Sequence, residues 1–570
     1  MGDSAPDRTA QIGGSADTAT TADFNLAAVF SSVAAAIPDA TMLTWRNRQL
    51  TYGAVDVRVD GFSHYLVSLG LGCHTERGAL AGHESGQDHV ALYLRNGNEY
   101  LEAMIGSFRA RLAPFNCSYR YVESELHYLL SDARAAVVVY NAEFAPRIAA
   151  VRSRLPHLRV LIQVADDSGH ELLPGAVDYE TILTTPQPST AMPAPSGDDL
   201  YILYTGGTTG MPKGVLWRQN DIFVSSMGGR PFGSETPFTS YAQLAEQARR
   251  SAGATSILMI PPLIHGAAQW AAFHTITLGG RIVIPDHVDR LRPAEALRTA
   301  QREKVSSLPV VGDAIARPLL DELETRRYDL SALVAITNGG AALSPHVRER
   351  LRDVLPHIVL IDGVGSSESG TQMADVTVGD VQAQTATFAP QSDTAVVTSD
   401  FDRVLTSAGS EGWLARRDLI PLGYLLDAAK SARTFPTIDG VRWSVPGDRA
   451  RILADGRIEL LGRDSATINS GGEKVFAEEV ERAVTAHPGV YDAVVVGRPS
   501  PRWGSEIVAV IQLADGAAPS DQELIVACRE RLARYKVPKA FIRTPTVKRS
   551  PAGKADYRWA NALVTKGDSP

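Results

Sequence analysis

The stretch YTGGTTGMPKGV, residues 204–215, contains the residue types that hold phosphate groups. Its glycines let the backbone approach an anion, its threonines offer hydroxyl donors, and Lys213 adds a positive charge. The Walker A spacing fails, because Pro212 precedes Lys213 and Gly214 follows it. A Gly-rich run alone is as compatible with a surface turn as with phosphate binding. The neighbouring segments must therefore decide between these two interpretations.

The chain from about residue 25 to 440 alternates short β-branched runs with longer helical segments. This alternation is typical of an α/β fold with largely parallel sheets. The predicted strands include HVALYL (89–94), AAVVVY (135–140), TSILMI (255–260), RIVIP (281–285), LVAIT (333–337) and IVLID (358–362). Ligands of such folds lie at the carboxyl ends of strands, where TGGTTG, PPLIHG, NGGAAL and DGVGSSESG follow. We therefore expect four loops to converge on one cleft.

After residue 445 the sequence pattern changes. RARILADGRIELLG predicts a hairpin around Asp455-Gly456. It is followed by a predicted helix near 477–486, strands at 492–497 and 506–513, and a helix near 521–533. This pattern indicates a small α+β domain that begins near Gly462. We therefore predict a disordered tail over residues 1–24, a large domain over 25–462 and a small domain over 463–570.

Composition excludes several classes of protein. A chain of 570 residues needs more than one hydrophobic core. Its net charge of -8 disfavours nucleic acid and anionic membrane surfaces as partners. Its three cysteines show no C-x-x-C spacing, which disfavours a disulfide scaffold or zinc site and fits a reducing cytosol. With no apolar stretch of about 18 residues, we expect a cytoplasmic protein without a transmembrane segment.

Six motifs resemble, in order, those of the adenylate-forming (AMP-binding) superfamily, which includes acyl-CoA synthetases, luciferases and peptide-synthetase adenylation domains. They are YTGGTTGMPKG, GGAAL, DGVGSSE, PGD, GRDSATINSGGEKV and SPAGK. The resemblance covers residues 25–560. It implies an α/β fold with a large N-terminal domain of mixed and parallel sheets with helices, plus a small mobile α+β lid.

The resemblance also implies the chemistry. A carboxylate attacks the α-phosphate of ATP to give an acyl-adenylate and pyrophosphate, and a thiol then displaces AMP. The implied cofactors are ATP, magnesium and coenzyme A. Such displacement needs mainly positioning and neutralisation of charge on phosphate oxygens, which hydroxyls, amides and a lysine supply.

The same resemblance assigns site residues by position. The catalytic positions are Lys554, Lys213, Glu368 and Ser367. The positions that contact ATP or line the entry of the thiol are Thr205, Gly206, Gly207, Thr208, Thr209, Gly210, Gly339, Gly340, Ala341, Asp362, Gly363, Val364, Gly365, Ser366, Asp448, Arg463, Ser470, Gly471 and Gly472. Lys554 would reach from the lid to the α-phosphate, Glu368 would bind magnesium, and Asp448 would accept hydrogen bonds from the ribose.

Three positions need separate comment. Val364 stands where many relatives have an aromatic residue against adenine, and Ser465 stands at the hinge where many have Asp or Lys. His265 matches a position near the acyl site, although a structural histidine is equally compatible with the pattern. Gly266 is small enough to leave space for a bulky acyl group, but it also suits tight helix packing.

Within the superfamily, several segments resemble bacterial fatty-acyl-CoA synthetases, including those that act on steroid side-chain acids. They are GVLWRQNDIF, GSSESG, INSGGEKVFAEEVE and RYKVPK. We expect an AMP-forming acid–thiol ligase of fatty acid or steroid catabolism that activates a long-chain fatty acid or a bulky steroid side-chain acid. The small-molecule partners would be this acid, ATP and coenzyme A. The sequence leaves open whether the chain forms a homo-oligomer.

Two alternatives remain open from the sequence. The chain could pass its acyl group to a carrier-protein thiol, which dependence on coenzyme A would distinguish. It could also be a catalytically silent nucleotide-binding protein of the same fold. The joint presence of Lys213, Glu368, Asp448 and Lys554 disfavours that second alternative, and carboxylate-dependent release of pyrophosphate would exclude it.

Overall fold

The structure is a computed structural model that describes residues 23–186, 190–205, 211–231, 233–341, 343–378, 386–463, 467–470, 473–500, 504–532, 534–549 and 553–566. The strands before residue 230 are β1 (Thr41–Trp45), β2 (Arg48–Thr51), β3 (His89–Tyr93), β4 (Ala113–Asn116), β5 (Ala135–Asn141), β6 (Val160–Val164), β7 (Ala176–Asp178), β8 (Leu200–Thr205) and β9 (Lys213–Arg218). Those up to residue 380 are β10 (Ser256–Leu258), β11 (Arg281–Ile284), β12 (Ser307–Val310), β13 (Ala335–Gly339), β14 (Val359–Ser366) and β15 (Gly370–Val378).

The later strands are β16 (Thr387–Phe388), β17 (Thr394–Val397), β18 (Val404–Leu405), β19 (Glu411–Arg417), β20 (Gly423–Tyr424), β21 (Thr437–Ile438), β22 (Val441–Ser444), β23 (Asp448–Ile452), β24 (Ile458–Arg463), β25 (Thr467–Ser470), β26 (Glu473–Phe476), β27 (Val490–Ser500), β28 (Gly504–Leu513) and β29 (Ala540–Arg543). The helices are α1 (Leu26–Ala36), α2 (Tyr52–Ser68), α3 (Asn98–Arg109), α4 (Glu123–Asp132), α5 (Ala145–Val151), α6 (Tyr179–Thr184), α7 (Gln219–Ser226), α8 (Tyr241–Ser251), α9 (Gly266–Thr277), α10 (Pro293–Glu303), α11 (Gly312–Thr325), α12 (Pro345–Val354), α13 (Ala428–Thr434), α14 (Ala477–Thr485), α15 (Asp521–Arg529) and α16 (Tyr557–Lys566).

Two eight-stranded sheets form the centre of the large domain. The first has the order β15-β14-β13-β12-β10-β11-β1-β2 and is parallel except at its two edges. The second has the order β20-β9-β8-β4-β3-β5-β6-β7 and is parallel from β8 to β7. Strands such as β3 and β5 are buried along their length, because helices cover both faces of a parallel sheet. Burial on both faces explains the continuous apolar runs that predicted these strands.

A third sheet, with the order β16-β24-β23-β19-β17-β18, is antiparallel. The expectation of largely parallel sheets up to residue 440 is therefore wrong from about residue 387, although the predicted hairpin around Asp455-Gly456 is confirmed. Several of these strands have only two to four residues, too few for the period of the sequence to show. Buried Arg416 joins this sheet to the first one, because it binds Asp393 at 2.8 Å and the carbonyl of Thr371 at 2.8 Å.

The C-terminal domain contains the sheet β27-β28-β29, packed against α14, α15 and α16. The predicted helices and strands are confirmed as α14, α15, β27 and β28, but α15 ends at Arg529 and α16 was not predicted. At the other end of the chain, Phe24 is buried against Phe223 and Tyr241, so the last residues of the predicted tail belong to the folded domain. Among the described helices, none has both the length and the apolar character needed to cross a membrane.

Candidate active site

The phosphate loop connects two antiparallel neighbours, β8 and β9. Thr205 ends β8 directly opposite Lys213, which begins β9, so the loop leaves and re-enters the sheet at one point. The Lys213 ammonium lies 3.1 Å from the carboxylate of Asp427, the N-cap of α13. Five of the predicted phosphate-binding residues lie outside the described residues: Gly206, Gly207, Thr208, Thr209 and Gly210.

The Lys213 ammonium remains charged at neutral pH. Burial by itself would lower the pKa of Lys213, but the hydrogen bond to Asp427 and nearby negative charge more than offset this effect and raise it. The pKa of Asp427 is lowered, first by the backbone N–H of Lys430 and then by Lys213. Lys213 is thus held as an ammonium at the base of the loop, ion-paired with Asp427.

The segment DGVGSSESG is not the loop that the sequence suggested. Its first five residues, Asp362 to Ser366, continue β14 and pair with β15, so only 367–369 form a tight turn. Gly365 permits this pairing, because a Cβ there would lie 2.1 Å from the carbonyl oxygen of Gly370. A rigid hairpin therefore carries Ser367 and Glu368 into the cleft.

Three side chains fix this turn. The Tyr424 hydroxyl donates to the Glu368 carboxylate at 2.8 Å, and the Ser444 hydroxyl donates to the Glu368 carbonyl at 2.6 Å. The Trp217 indole N–H donates to the Ser367 carbonyl at 2.9 Å. Tyr424 lies on β20, next to β9, and Trp217 lies on β9 itself. Sequence reasoning missed these contacts because they join residues 56 to 150 positions apart.

Glu368 fits the role of a magnesium ligand. It is half-buried and one of its oxygens is oriented by Tyr424. Magnesium is usually held by one or two carboxylates together with substrate phosphates and water. Among the described residues, no cluster of three His, Cys, Asp or Glu could hold a metal alone. The site is therefore suited to an ion shared with the phosphates of ATP, which would neutralise charge on their oxygens.

The turn after β13 forms the predicted adenine wall. Gly339 ends β13, and Gly340 has a φ of 80°, which favours glycine. The side chain of Asn338 orders this turn by donating to the Ala341 carbonyl at 3.0 Å. Val364, one strand away on β14, packs against an apolar cluster around Met373. The wall therefore offers backbone and aliphatic surface to a base.

Asp362 has a structural role in this wall. Arg348 binds one of its carboxylate oxygens at 2.5 Å, and Asn338 donates to the other at 2.8 Å. Because both oxygens are engaged and the residue is buried, we assign its side chain no contact with the nucleotide. Gly363 and Ser366 occupy β14 on either side of Val364.

The predicted ribose residue Asp448 lies at the start of β23, directly opposite Arg463 on β24. The sheet thus places the predicted ribose residue next to Arg463, which the resemblance also assigns to the nucleotide. Ser470 is buried on the small hairpin β25–β26. The predicted hinge residue Ser465, together with Gly471 and Gly472, lies outside the described residues.

The lid brings its lysine to the same cleft. Gly553 has a φ of 70° and packs on the large domain, because a Cβ there would lie 2.8 Å from the Val311 carbonyl oxygen. The next residue, Lys554, is exposed, and its positive charge acts on His265. The segments around His265 and Lys554, distant in the sequence, therefore lie close enough to interact electrostatically.

His265 lies just before α9 and remains neutral at pH 7. Burial, together with the positive charges of Lys554 and Arg120, lowers its pKa to about 4. Its Nε2 atom is buried and has no hydrogen-bond partner within the described residues. Of the two interpretations of Gly266, the structure favours tight packing, because a Cβ there would meet Leu203 at 2.5 Å. The absence of a Cβ at Gly266 leaves room for the side chain of Leu203.

Comparison with known proteins identifies the family. The AMP-binding enzyme family matches residues 30–414, and the AMP-binding enzyme C-terminal domain matches residues 479–554. The chain belongs to the AMP-binding enzyme family. The predicted resemblance and fold class are thereby confirmed.

Curated relatives of this chain are CoA ligases, and the matches cover nearly the whole length of both proteins. The chain is 54% identical to the medium-chain acyl-CoA ligase Mig of Mycobacterium avium, over 96% of this chain and 100% of that protein. It is 38% identical to the 3-oxocholest-4-en-26-oate–CoA ligase of Rhodococcus rhodochrous, over 92% and 93% of the two chains. These relatives confirm the predicted activity, an ATP-dependent acyl-CoA ligase.

Among solved structures, the anthranilate CoA ligase AuaEII in complex with anthranoyl-AMP matches with a TM-score of 0.79 at 21% identity, over 95% of this chain and 98% of that one. At this identity the likeness supports the fold alone.

Replacing Tyr424 with Phe tests how Glu368 is held. The substitution removes one hydrogen bond to a charged group, worth roughly 1.5–3 kcal/mol, so adenylate formation should fall about 10- to 100-fold. The magnesium concentration needed for half-maximal rate should rise. Acid-dependent ATP–pyrophosphate exchange measures both effects. Tyr328→Phe is the matched control, since its hydroxyl binds Glu322 on helix α11. Unchanged magnesium dependence in Tyr424→Phe would contradict this role.

The ionisation of His265 tests where Lys554 lies. NMR of ¹⁵N-histidine-labelled enzyme, assigned with His265→Gln, should show an imidazole that stays neutral from pH 8 down to about pH 5. Lys554→Ala should raise the pKa of His265, because it removes a positive charge that opposes protonation. A His265 pKa that is the same in both proteins would place Lys554 away from the cleft.

Proposed function

We propose that this acyl-CoA ligase activates medium-chain to long-chain fatty acids. The observation that carries the proposal is the 54% identity, along the full length of the relative, to a medium-chain acyl-CoA ligase. Beside His265, the side chains next to Gly266 are the apolar Leu203 and Trp270, which are compatible with an alkyl chain.

A steroid side-chain acid is the second candidate. It is favoured by relatives 38% identical to this chain whose names include 3-oxocholest-4-en-26-oate, five of which also name medium- and long-chain fatty acids. The side chain of such an acid presents an aliphatic carboxylate to the reacting centre, as a fatty acid does. The two candidate acids therefore have similar groups next to the carboxylate. They differ in the rest of the molecule, which is an alkyl chain in one and a fused ring system in the other.

In the proposed reaction, Lys213 and the loop that ends at it hold the β- and γ-phosphates as the leaving group. Glu368 holds magnesium, Ser367 places its hydroxyl near the α-phosphate, and Asp448 accepts the ribose hydroxyls. Lys554 donates to the oxygens that join the attacking carboxylate and the α-phosphate. Neutral His265 adds no positive charge and closes the acyl side of the cleft. These roles rest on the matched motifs and on their convergence in one cleft.

We further propose that the functional units are a large domain that ends at residue 462 and includes Phe24, and a lid over residues 463–570, and that the rotation between the two half-reactions takes place near Ser465. We retain the cytoplasm as the proposed compartment, which is supported by the free thiols of Cys73, Cys117 and Cys528.

Release of pyrophosphate over a series of acids tests the substrate. Acids from butyrate to palmitate and a cholesterol side-chain acid should be compared with coenzyme A present and absent. We expect the highest kcat/KM between about eight and 16 carbons, since each added buried methylene contributes about 0.8 kcal/mol until the pocket is filled. Greater activity with the steroid acid would favour the second candidate. Faster transfer to a phosphopantetheine carrier protein than to coenzyme A would contradict CoA ligation.

Replacing Lys554 with Ala tests whether this lysine acts in adenylate formation and not in thiol transfer. Adenylate formation should fall on the order of 100-fold or more, because a preorganised donor to the transition state is lost. Transfer from supplied acyl-adenylate to coenzyme A should survive. Equal loss of both half-reactions would contradict the role assigned to Lys554.

A further inference from the structure

A contact between the lid and helix α11 lies outside the site described so far. Tyr491, on β27 of the lid, lies with its ring against the Arg317 guanidinium, 4.6 Å from carbon Cζ to the ring centroid. Its hydroxyl approaches the Asp321 carboxylate at 3.4 Å. Arg317 and Asp321 are four residues apart on α11 and so share one face of the helix. The ring is thus held by a cation on its face and an acceptor at its edge.

The α11 side of this contact is rigid. Arg317 is 3% exposed, and its guanidinium is fixed by Asp313 at 2.6 Å and by Ser344 at 3.2 Å. Asp321 is oriented by Arg350, whose guanidinium lies 2.7 Å away. Burial and the nearby charge of Asp321 raise the pKa of Tyr491 to about 12, so its hydroxyl keeps its proton at neutral pH. Helix α11 therefore presents a preformed binding surface for the neutral phenol ring of Tyr491.

On the lid side, the contact is linked to the catalytic lysine by hydrogen bonds. Asp492 follows Tyr491 in β27, and its carboxylate receives two bonds from Arg549, at 2.8 and 2.6 Å. Arg549 also donates to the carbonyl of Gly553 at 3.2 Å, and Gly553 directly precedes Lys554. The ion pair of Asp492 and Arg549 thus connects the contact of Tyr491 with α11 to Gly553, the residue before Lys554.

We propose that Tyr491 is a positioning residue for the adenylation half-reaction, because its contact with Arg317 and Asp321 holds the lid in the orientation that brings Lys554 to the cleft. The inference rests on the proposed rotation of the lid between the two half-reactions. A contact made in only one of two orientations shifts the population toward that orientation. Tyr491 therefore favours adenylation and opposes the orientation needed for thiol transfer.

Tyr491→Ala, with the half-reactions measured separately, tests this proposal. Loss of a partly desolvated cation–π contact corresponds to about a 5- to 30-fold change in population. Acid-dependent ATP–pyrophosphate exchange should fall by that factor, while transfer from supplied acyl-adenylate to coenzyme A should be unchanged or faster. Tyr491→Phe retains the ring and should recover most of the exchange rate. Tyr535→Ala, at an exposed tyrosine of the lid, is the matched control.

A merely structural role would lower both half-reactions together, so parallel loss would overturn the proposal, as would an unchanged exchange rate in Tyr491→Ala. The pKa of His265 supplies a measurement that needs no turnover. It should rise in Tyr491→Ala, because Lys554 spends less time beside the imidazole, and should stay the same in Tyr535→Ala. A wild-type enzyme without acid-dependent exchange would refute the proposed function, whereas an unchanged His265 pKa in Tyr491→Ala would refute the docking contact alone.

Discussion

Strand β9 is the constraint on which the rest of the site depends. It begins at Lys213, which closes the phosphate loop. Its Trp217 donates a hydrogen bond to the carbonyl of Ser367, in the turn that follows β14. Its neighbour β20 supplies Tyr424, which orients Glu368. The interior strand β9 and its two-residue edge neighbour β20 thus fix, through sheet pairing and two side-chain hydrogen bonds, where the turn that carries Glu368 lies relative to Lys213.

The cleft combines fixed positive charge with a neutral histidine. Lys213 is charged because Asp427 compensates for its partial burial, and it therefore needs no reorganisation to meet an anion. His265 is kept neutral by burial and by the charges of Lys554 and Arg120, so it adds no competing cation near the reacting carboxylate. The charged groups that act on the neutral imidazole are Lys554 and Arg120, while Lys213 is held in place by Asp427. Preorganised charge of this kind is usually the largest contribution to catalysis of such displacements.

The lid is connected to this site by a few specific contacts rather than by a continuous core. Its apolar clusters pack between its own strands and helices. Gly553 contacts the large domain at Val311, just before helix α11, and Tyr491 contacts it at Arg317, within that helix. Contacts of this kind are strong enough to select an orientation and weak enough to release it. An enzyme that runs two half-reactions in one cleft needs both properties, because the lysine that serves the first must withdraw before the thiol can enter.

The sequence by itself determined most of the parallel strands, the family and the class of reaction, because apolar runs and short motifs are local in the chain. It also predicted, by resemblance, the positions of the catalytic residues. Only the tertiary structure decided which residues support them. Tyr424, Ser444 and Trp217 reach Glu368 and its neighbour across at least 56 residues, and no local pattern encodes such a contact. The antiparallel third sheet was missed because several of its strands are short. The choice between the two interpretations of Gly266 needed the position of Leu203, on strand β8. Spacing in the sequence specifies which groups are available, whereas packing decides what each of them touches.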